Sequence, residues 1–184
     1  MQVIIPFSEG FEEIECLTVV DVLRRAEVPV TLASLDGGAV TGRSNIVVQP
    51  DAALDAVIDQ KWDLVVLPGG LPNAFILRDD VRVRALVQRI KQQQGLVSAI
   101  CAAPIALAAY GVLGGCRVTS YPGTQGAIAD LAPEAVYCDD VVVEDGFLIT
   151  SRGPGTAMEF SLRLVTRLCG EEKSNAVRQE LISA

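Results

Sequence analysis

The sequence predicts a single α/β domain with an open, mostly parallel central sheet and helices on both faces. Three observations carry this. Apolar strand-like runs alternate with segments of helical period from end to end, the pattern of repeated strand–helix units. The strand runs, such as Val3–Ile5 and Leu64–Leu67, are continuously apolar rather than alternating, so both of their faces expect burial. Half of the 184 residues are apolar and only 5% are aromatic, so the core must be aliphatic. A chain of this length fits one domain, and no repeat, low-complexity stretch or linker divides 1–184.

Each element can be read in order. Val3–Ile5 is a short strand. Glu13–Ala26 follows as a helix, with Leu17, Val20, Leu23 and Ala26 near helical spacing. Val28–Leu35 is a strand ended by Asp36-Gly37-Gly38, and Ile46–Val48 is a shorter extended piece closed by Pro50. Leu64–Leu67 runs into the sharp loop Pro68-Gly69-Gly70. Asp80–Gln94 is an amphipathic helix, with Gly95 expected as its C-cap glycine. Leu96–Ile100 is a buried strand, and Ala102–Tyr110 an alanine-rich helix ended by Gly111. Arg117–Asp140 predicts a short strand at Arg117–Thr119 and then irregular structure. Val141–Val143 and Phe147–Thr150 form a hairpin around Asp145-Gly146. Pro154–Leu168 and Ser174–Ile182 are the last helices.

Composition excludes several classes of function. The formal net charge is −8 and no Lys/Arg-rich run is present, which argues against nucleic-acid binding. The amino-terminal apolar run lacks a basic flank and is too short for a signal peptide, and no stretch is long enough to span a bilayer. The protein therefore reads as cytoplasmic, with reduced thiols. The 5 cysteines are Cys16, Cys101, Cys116, Cys138 and Cys169, with no CxxC pair. The histidine count is 0, which removes every triad, dyad or zinc site that needs imidazole. Cys138-Asp139-Asp140 has no evident companion ligands, so no metal and no cofactor is expected.

Four segments could carry chemistry. In Ser98-Ala99-Ile100-Cys101-Ala102-Ala103-Pro104 a buried strand runs straight into a cysteine flanked by small residues, the mechanics of a nucleophile elbow. A helix beginning at Ala102 would aim its free N–H groups at the sulfur and lower the thiol pKa. A buried structural cysteine has the same local sequence. Pro68-Gly69-Gly70 could bind an oxyanion or be a plain turn. In Glu12-Glu13-Ile14-Glu15, the first two carboxylates suit a helix N-terminus. Glu15 lies on a face that must pack on the sheet, where desolvation would keep it protonated. Thr150-Ser151-Arg152-Gly153-Pro154-Gly155-Thr156 opens a helix but lacks the ending of a phosphate loop, so it reads as a structural turn. Cys116, Cys138 and Cys169 read as bland, Cys169 from its place in an apolar helical pattern. Cys16 is less clear because it adjoins Glu15.

Taken together, these four motifs in this order resemble the ThiJ/PfpI (DJ-1/PfpI) superfamily, specifically its DJ-1/YajL-like branch, over nearly the whole chain. The resemblance implies a flavodoxin-like three-layer sandwich and a homodimer. It implies Cys101 as nucleophile, Glu15 as its protonated partner, and Gly69, Gly70 and Ala102 as an oxyanion-binding group. Arg25 matches an arginine near the pocket across the dimer interface, and Tyr121 stands where many members carry histidine. A further arginine of the branch falls near Arg43 or Ser44, where the alignment slips by one and nothing is carried over. Ala102 replaces the histidine that follows the cysteine in the peptidase branch, which makes a PfpI-type peptidase improbable.

Two functions remain open. One is an enzyme acting on reactive carbonyls, a glutathione-independent glyoxalase or protein deglycase, whose partners are small aldehydes or glycated side chains. The other is a redox sensor and stress chaperone in which Cys101 oxidises to sulfinic acid. A purely structural domain would make four ordered motifs a coincidence.

Overall fold

The computed structural model describes residues 1–183. The chain runs β1 (Val3–Phe7), α1 (Glu13–Arg25), β2 (Val30–Ser34), β3 (Val40–Thr41), β4 (Val47–Val48), β5 (Ala52–Ala53), α2 (Leu54–Val57) and β6 (Leu64–Leu67). It continues through α3 (Asn73–Asp79), α4 (Val81–Gln92), β7 (Leu96–Ile100), α5 (Pro104–Ala109), β8 (Arg117–Val118), α6 (Gln125–Leu131) and β9 (Val136–Tyr137). The last elements are β10 (Val142–Asp145), β11 (Leu148–Ser151), α7 (Ala157–Cys169) and α8 (Glu171–Glu180).

Seven strands form the central sheet in the order β10-β11-β7-β6-β1-β2-β5, and every pairing is parallel except β10 with β11. Strand period places alternate residues on opposite faces. Val3, Ile5 and Phe7 pack with Leu64, Val66 and Ile100 against α1 and α7. Ile4, Val65, Leu67, Val97 and Ala99 face the other way, against α2 to α6. Two aliphatic cores on one sheet make the three-layer sandwich and explain why the strand runs are apolar throughout. The β1–β6 ladder stops at Ile4↔Val65. Pro6, which has no N–H to donate, sits beyond it, where β1 pairs only with β2. From β1 the chain winds outward through β2, then returns to β6 on the other side. The carboxyl ends of β1 and β6 therefore flank the point where winding reverses, where open α/β sheets bind ligands.

The predicted elements are present with shifted bounds, the last helix running over Glu171–Glu180 rather than Ser174–Ile182, and α3 is an addition. The helix expected from Asp80 begins at Val81, because Asp80 is its N-cap and accepts from the N–H groups of Arg82 and Val83. Its end is not capped by Gly95. The left-handed residue is Gln94, at φ 62°. The N–H groups of Gln94 and Gly95 return to the carbonyls of Lys91 and Ile90 in a Schellman arrangement. Gly95 is needed for space, since a Cβ there would come within 2.7 Å of Ile90 and 2.9 Å of the Asp63 carbonyl. The helix expected from Ala102 starts at Pro104, after a turn over Cys101–Ala103. The helix expected from Pro154 opens with a 3₁₀ turn over Pro154–Thr156 before α7. The irregular stretch Arg117–Asp140 contains α6 and a small parallel sheet of β8 and β9. The hairpin of β10 and β11 has the expected turn at Gly146.

Candidate active site

Four loops meet at the carboxyl end of the sheet, following β1, β6, β7 and β11. At the end of β7, the Cys101 N–H donates to the Ser151 carbonyl at 3.0 Å, and its own carbonyl accepts from the Tyr121 N–H at 2.8 Å. Held from both sides, Cys101 adopts φ 62°. That conformation costs a side chain with a Cβ about 1–2 kcal/mol, and such strain concentrates at functional sites. It is the elbow geometry, and the side chain is half-buried rather than filling the core. The backbone N–H groups of Ala102 and Gly70 both point at the sulfur.

Glu15 comes from the first turn of α1 and is fully buried. Its Oε2 accepts the Gly69 N–H at 2.9 Å, while Oε1 is buried without a hydrogen-bond partner. Burial raises the carboxyl to about 7, against which the Cys101 and Gly69 contacts pull only partly. Gly69 is the spacer between the two groups. A Cβ on it would meet Glu15 Oε2 at 2.5 Å and the Cys101 Cβ at 2.6 Å.

The expectation of a lowered thiol pKa is corrected here. Burial, and then the charge of Glu15, push the Cys101 thiol up to about 12, outweighing the two backbone N–H groups. The following helix, α5, has only 6 residues and so offers little dipole to oppose that. The two groups are coupled, because the charge of Glu15 is one cause of the thiol's rise. When the shared proton sits on Glu15, the charge that raises the thiol is gone and the carboxyl can donate to sulfur. The thiolate thus belongs to the state in which Glu15 is protonated.

The glycine loop is fixed by Asn73, which is fully buried. Its Oδ1 accepts from the N–H and hydroxyl of Ser8, at 2.8 and 2.9 Å, and its Nδ2 donates to the carbonyls of Pro68 and Gly69, at 2.8 and 3.0 Å. Gly70 has φ 89°, and a Cβ there would lie 2.3 Å from the Gly10 carbonyl. A cleft of about 560 Å³ opens over Cys101, lined by Glu12, Arg43, Gly70, Leu71, Ala102 and Tyr121, with Gly123, Thr124 and Pro154.

Of the residues singled out in the sequence, Cys101, Glu15, Gly70, Ala102 and Tyr121 come together. One does not fit its expected part. Gly69 cannot offer an oxyanion donor, because Glu15 takes its N–H. Arg25, expected at the pocket of a second copy, is not among the cleft residues of its own chain. It lies at the end of α1, paired with Asp21 at 2.9 Å and Glu180 at 2.5 Å. Cys169, expected on an apolar face, is exposed at the end of α7, whereas Cys16 is core and its thiol is pushed up by burial.

A sequence profile of the DJ-1/PfpI family matches residues 1–167. The chain belongs to the DJ-1/PfpI family. Protein dj-1beta of Drosophila melanogaster is 44% identical over 179 residues, covering 96% of this chain and 94% of that one. The crystal structure of Drosophila melanogaster DJ-1beta superposes with a TM-score of 0.95 at 41% identity, over 100% of this chain and 98% of that one. Glutathione-independent glyoxalase DJR-1.2 of Caenorhabditis elegans is 35% identical over 176 residues, covering 96% of this chain and 92% of the relative. The structure of oxidized Toxoplasma gondii DJ-1 matches with a TM-score of 0.93 at 32% identity, over 100% of this chain and 98% of that one.

Within this family fold, sequence reasoning passed over three residues. Glu12, assigned to the helix dipole, is buried in the cleft wall and bonds Arg43 at 3.1 Å. Arg43 falls where the family alignment slips by one. Asn73, four residues beyond Gly69, gave no signal beyond its place after a glycine loop. Among the described residues no group of three or more His, Cys, Asp or Glu could hold a metal ion, and no helix is long and apolar enough to cross a membrane.

Proposed function

We propose that the protein converts reactive 2-oxoaldehydes to 2-hydroxy acids without glutathione, through Cys101 and Glu15. The observation that carries this reading is the placement of Cys101 and Glu15 on either side of Gly69. A strained thiol and a buried carboxyl raised to about 7 flank Gly69, so a proton can pass between sulfur, carboxyl and substrate near neutrality. The thiolate adds to the aldehyde carbon, and the carbonyl electron pair moves to oxygen, which is protonated to give a hemithioacetal. The N–H groups of Gly70 and Ala102 stabilise that oxygen as charge develops. Glu15, now a carboxylate, takes the proton from the former aldehyde carbon. Its return to the neighbouring carbon, with the hydroxyl proton of the former aldehyde carbon passing to the ketone oxygen, leaves a carbonyl on sulfur and yields a thioester of the 2-hydroxy acid. Water cleaves the thioester, releasing the acid and restoring the thiol. The glyoxalase name of the Caenorhabditis elegans relative agrees with this chemistry. The same addition to a glyoxal adduct would make the protein a deglycase. Lactate formed from methylglyoxal, compared with a Cys101→Ala control, tests it, and equal rates would reject it.

A second reading has its own support. The two N–H groups at the sulfur and the unpartnered Glu15 Oε1 are suited to hold sulfinate oxygens, as expected for a redox sensor. Peroxide treatment followed by mass spectrometry would place the first oxidation on Cys101, whereas an intact Cys101 with oxidation elsewhere removes this reading. The exposed apolar Ile14, Ile46 and Val47 offer surface for pairing two copies, which sedimentation would measure.

A further inference from the structure

The cleft over Cys101 does not end at Ala102. A second concavity of about 420 Å³ continues from it, sharing Leu71, Ala102, Gly123 and Thr124. Its remaining walls are mostly apolar: Phe75 from α3, Ile105 from α5, and Ala127 and Leu131 from α6. Leu71, Phe75 and Leu131 each leave large apolar side chains open to solvent there, at 54%, 39% and 46%. Apolar surface of this kind, concave and joined to a reactive centre, is the usual lining of a small-molecule subsite. The junction is chemically placed. Ala102 supplies an N–H to the Cys101 sulfur, and its residue also walls the second concavity. A group attached to a carbon bonded to that sulfur has the groove beside it. The proposed carbonyl chemistry uses none of this surface, because methylglyoxal carries a single methyl group beyond its two carbonyls.

We propose that this groove is a subsite for an apolar substituent on the carbonyl substrate, so that 2-oxoaldehydes bearing an alkyl chain react ahead of methylglyoxal. The inference rests on Cys101 as the nucleophile assigned above and names the substrate class of that site. The occupant is a short chain rather than a protein surface because the space is pocket-sized and continuous with the thiol cleft. Arg78, stacked on Phe75 at 5.0 Å, and Asp130 supply the charged part of the lining. The chain would lie on Phe75, Ile105, Ala127 and Leu131.

The test is made in two parts. First, Cys101 is alkylated with iodoacetamide and with N-hexyl iodoacetamide, each rate divided by that for glutathione under the same conditions. The hexyl reagent should be favoured by about tenfold or more, since burial of a few methylenes is worth that much. Ala127→Trp, which fills the groove, should abolish the preference, and Ala127→Ser should retain most of it. Equal normalised rates in the wild-type protein, or a preference that Ala127→Trp leaves intact, overturn the proposal whatever the protein's turnover. Second, kcat/KM is measured for 2-oxooctanal and methylglyoxal, and the ratio should favour the longer substrate by a similar factor and fall in Ala127→Trp. Methylglyoxal turnover with no preference between the two rejects the subsite alone. Absence of turnover with either aldehyde, beside a retained alkylation preference, rejects the glyoxalase reading and keeps the groove as an apolar subsite beside Cys101.

Discussion

The backbone N–H of Gly69 donates to Oε2 of Glu15 at 2.9 Å, and this one bond sets the carboxyl beside the nucleophile elbow. The N–H is spent on positioning an acid rather than on receiving an oxyanion. Because Oε1 has no partner, the ionised carboxylate is poorly solvated and the protonated form is favoured.

That preference makes stability depend on pH. The folded Glu15 titrates at about 7, above its ordinary value of 4.5. Its contribution is fully present below pH 4.5 and is lost as pH rises through 7. Linkage puts the loss at about 3 kcal/mol. Urea unfolding from pH 4 to 8 should show it in the wild-type protein and not in Glu15→Gln. Parallel profiles for the two would contradict the buried acid.

The shared proton also predicts how Cys101 reacts. On the proposed mechanism, the proton lost as pH rises through about 7 leaves thiolate beside protonated Glu15 in part of the population. The alkylation rate of Cys101 should rise through that pH and then level off, well short of the upper step near 12. Glu15→Gln should replace the two steps by one, lying below 12 because the carboxylate charge is gone. A single wild-type step unaffected by Glu15→Gln would show that the thiol ionises independently.

Gly69 admits no side chain. Gly69→Ala puts a Cβ 2.5 Å from Glu15 Oε2 and 2.6 Å from the Cys101 Cβ. Both neighbours are fixed by their own elements, so the loop must move. The expected cost is about 2–3 kcal/mol, seen as a lowered Tm, together with loss of the pH step in Cys101 alkylation.

The strain at Cys101 can be weighed directly. Cys101→Ala keeps a Cβ at φ 62°, whereas Cys101→Gly relieves it. The glycine variant should unfold at a higher denaturant midpoint than the alanine variant, by about 1 kcal/mol. Equal midpoints would mean that the elbow stores no strain.

Asn73 ties the glycine loop to the end of β1. Asn73→Ala removes four hydrogen bonds and leaves the Pro68 and Gly69 carbonyls without that donor. A loss of about 3 kcal/mol is expected. Asn73→Asp keeps the acceptor toward Ser8 and not the donors. It should lower the rate at Cys101 even in conditions where it remains folded.

The sequence by itself determined the architecture and the position of the strained cysteine. Short continuous aliphatic runs alternating with amphipathic segments are strands buried on both faces, and small residues after Ile100 permit a tight turn. Local periodicity carries that information because it comes from neighbours along the chain. The tertiary structure alone decided which contacts hold the groups around the sulfur. Glu15 lies 54 residues from Gly69, and Arg43 meets Glu12 across 31 positions, so neither contact leaves a mark in any local pattern. It also decided that the thiol is raised rather than lowered, because desolvation is a sum over everything packed around Cys101. Gly95 shows the same division. Its spacing suggested a cap, whereas its reason is the crowding of Ile90 and the Asp63 carbonyl from a strand connection 32 residues away.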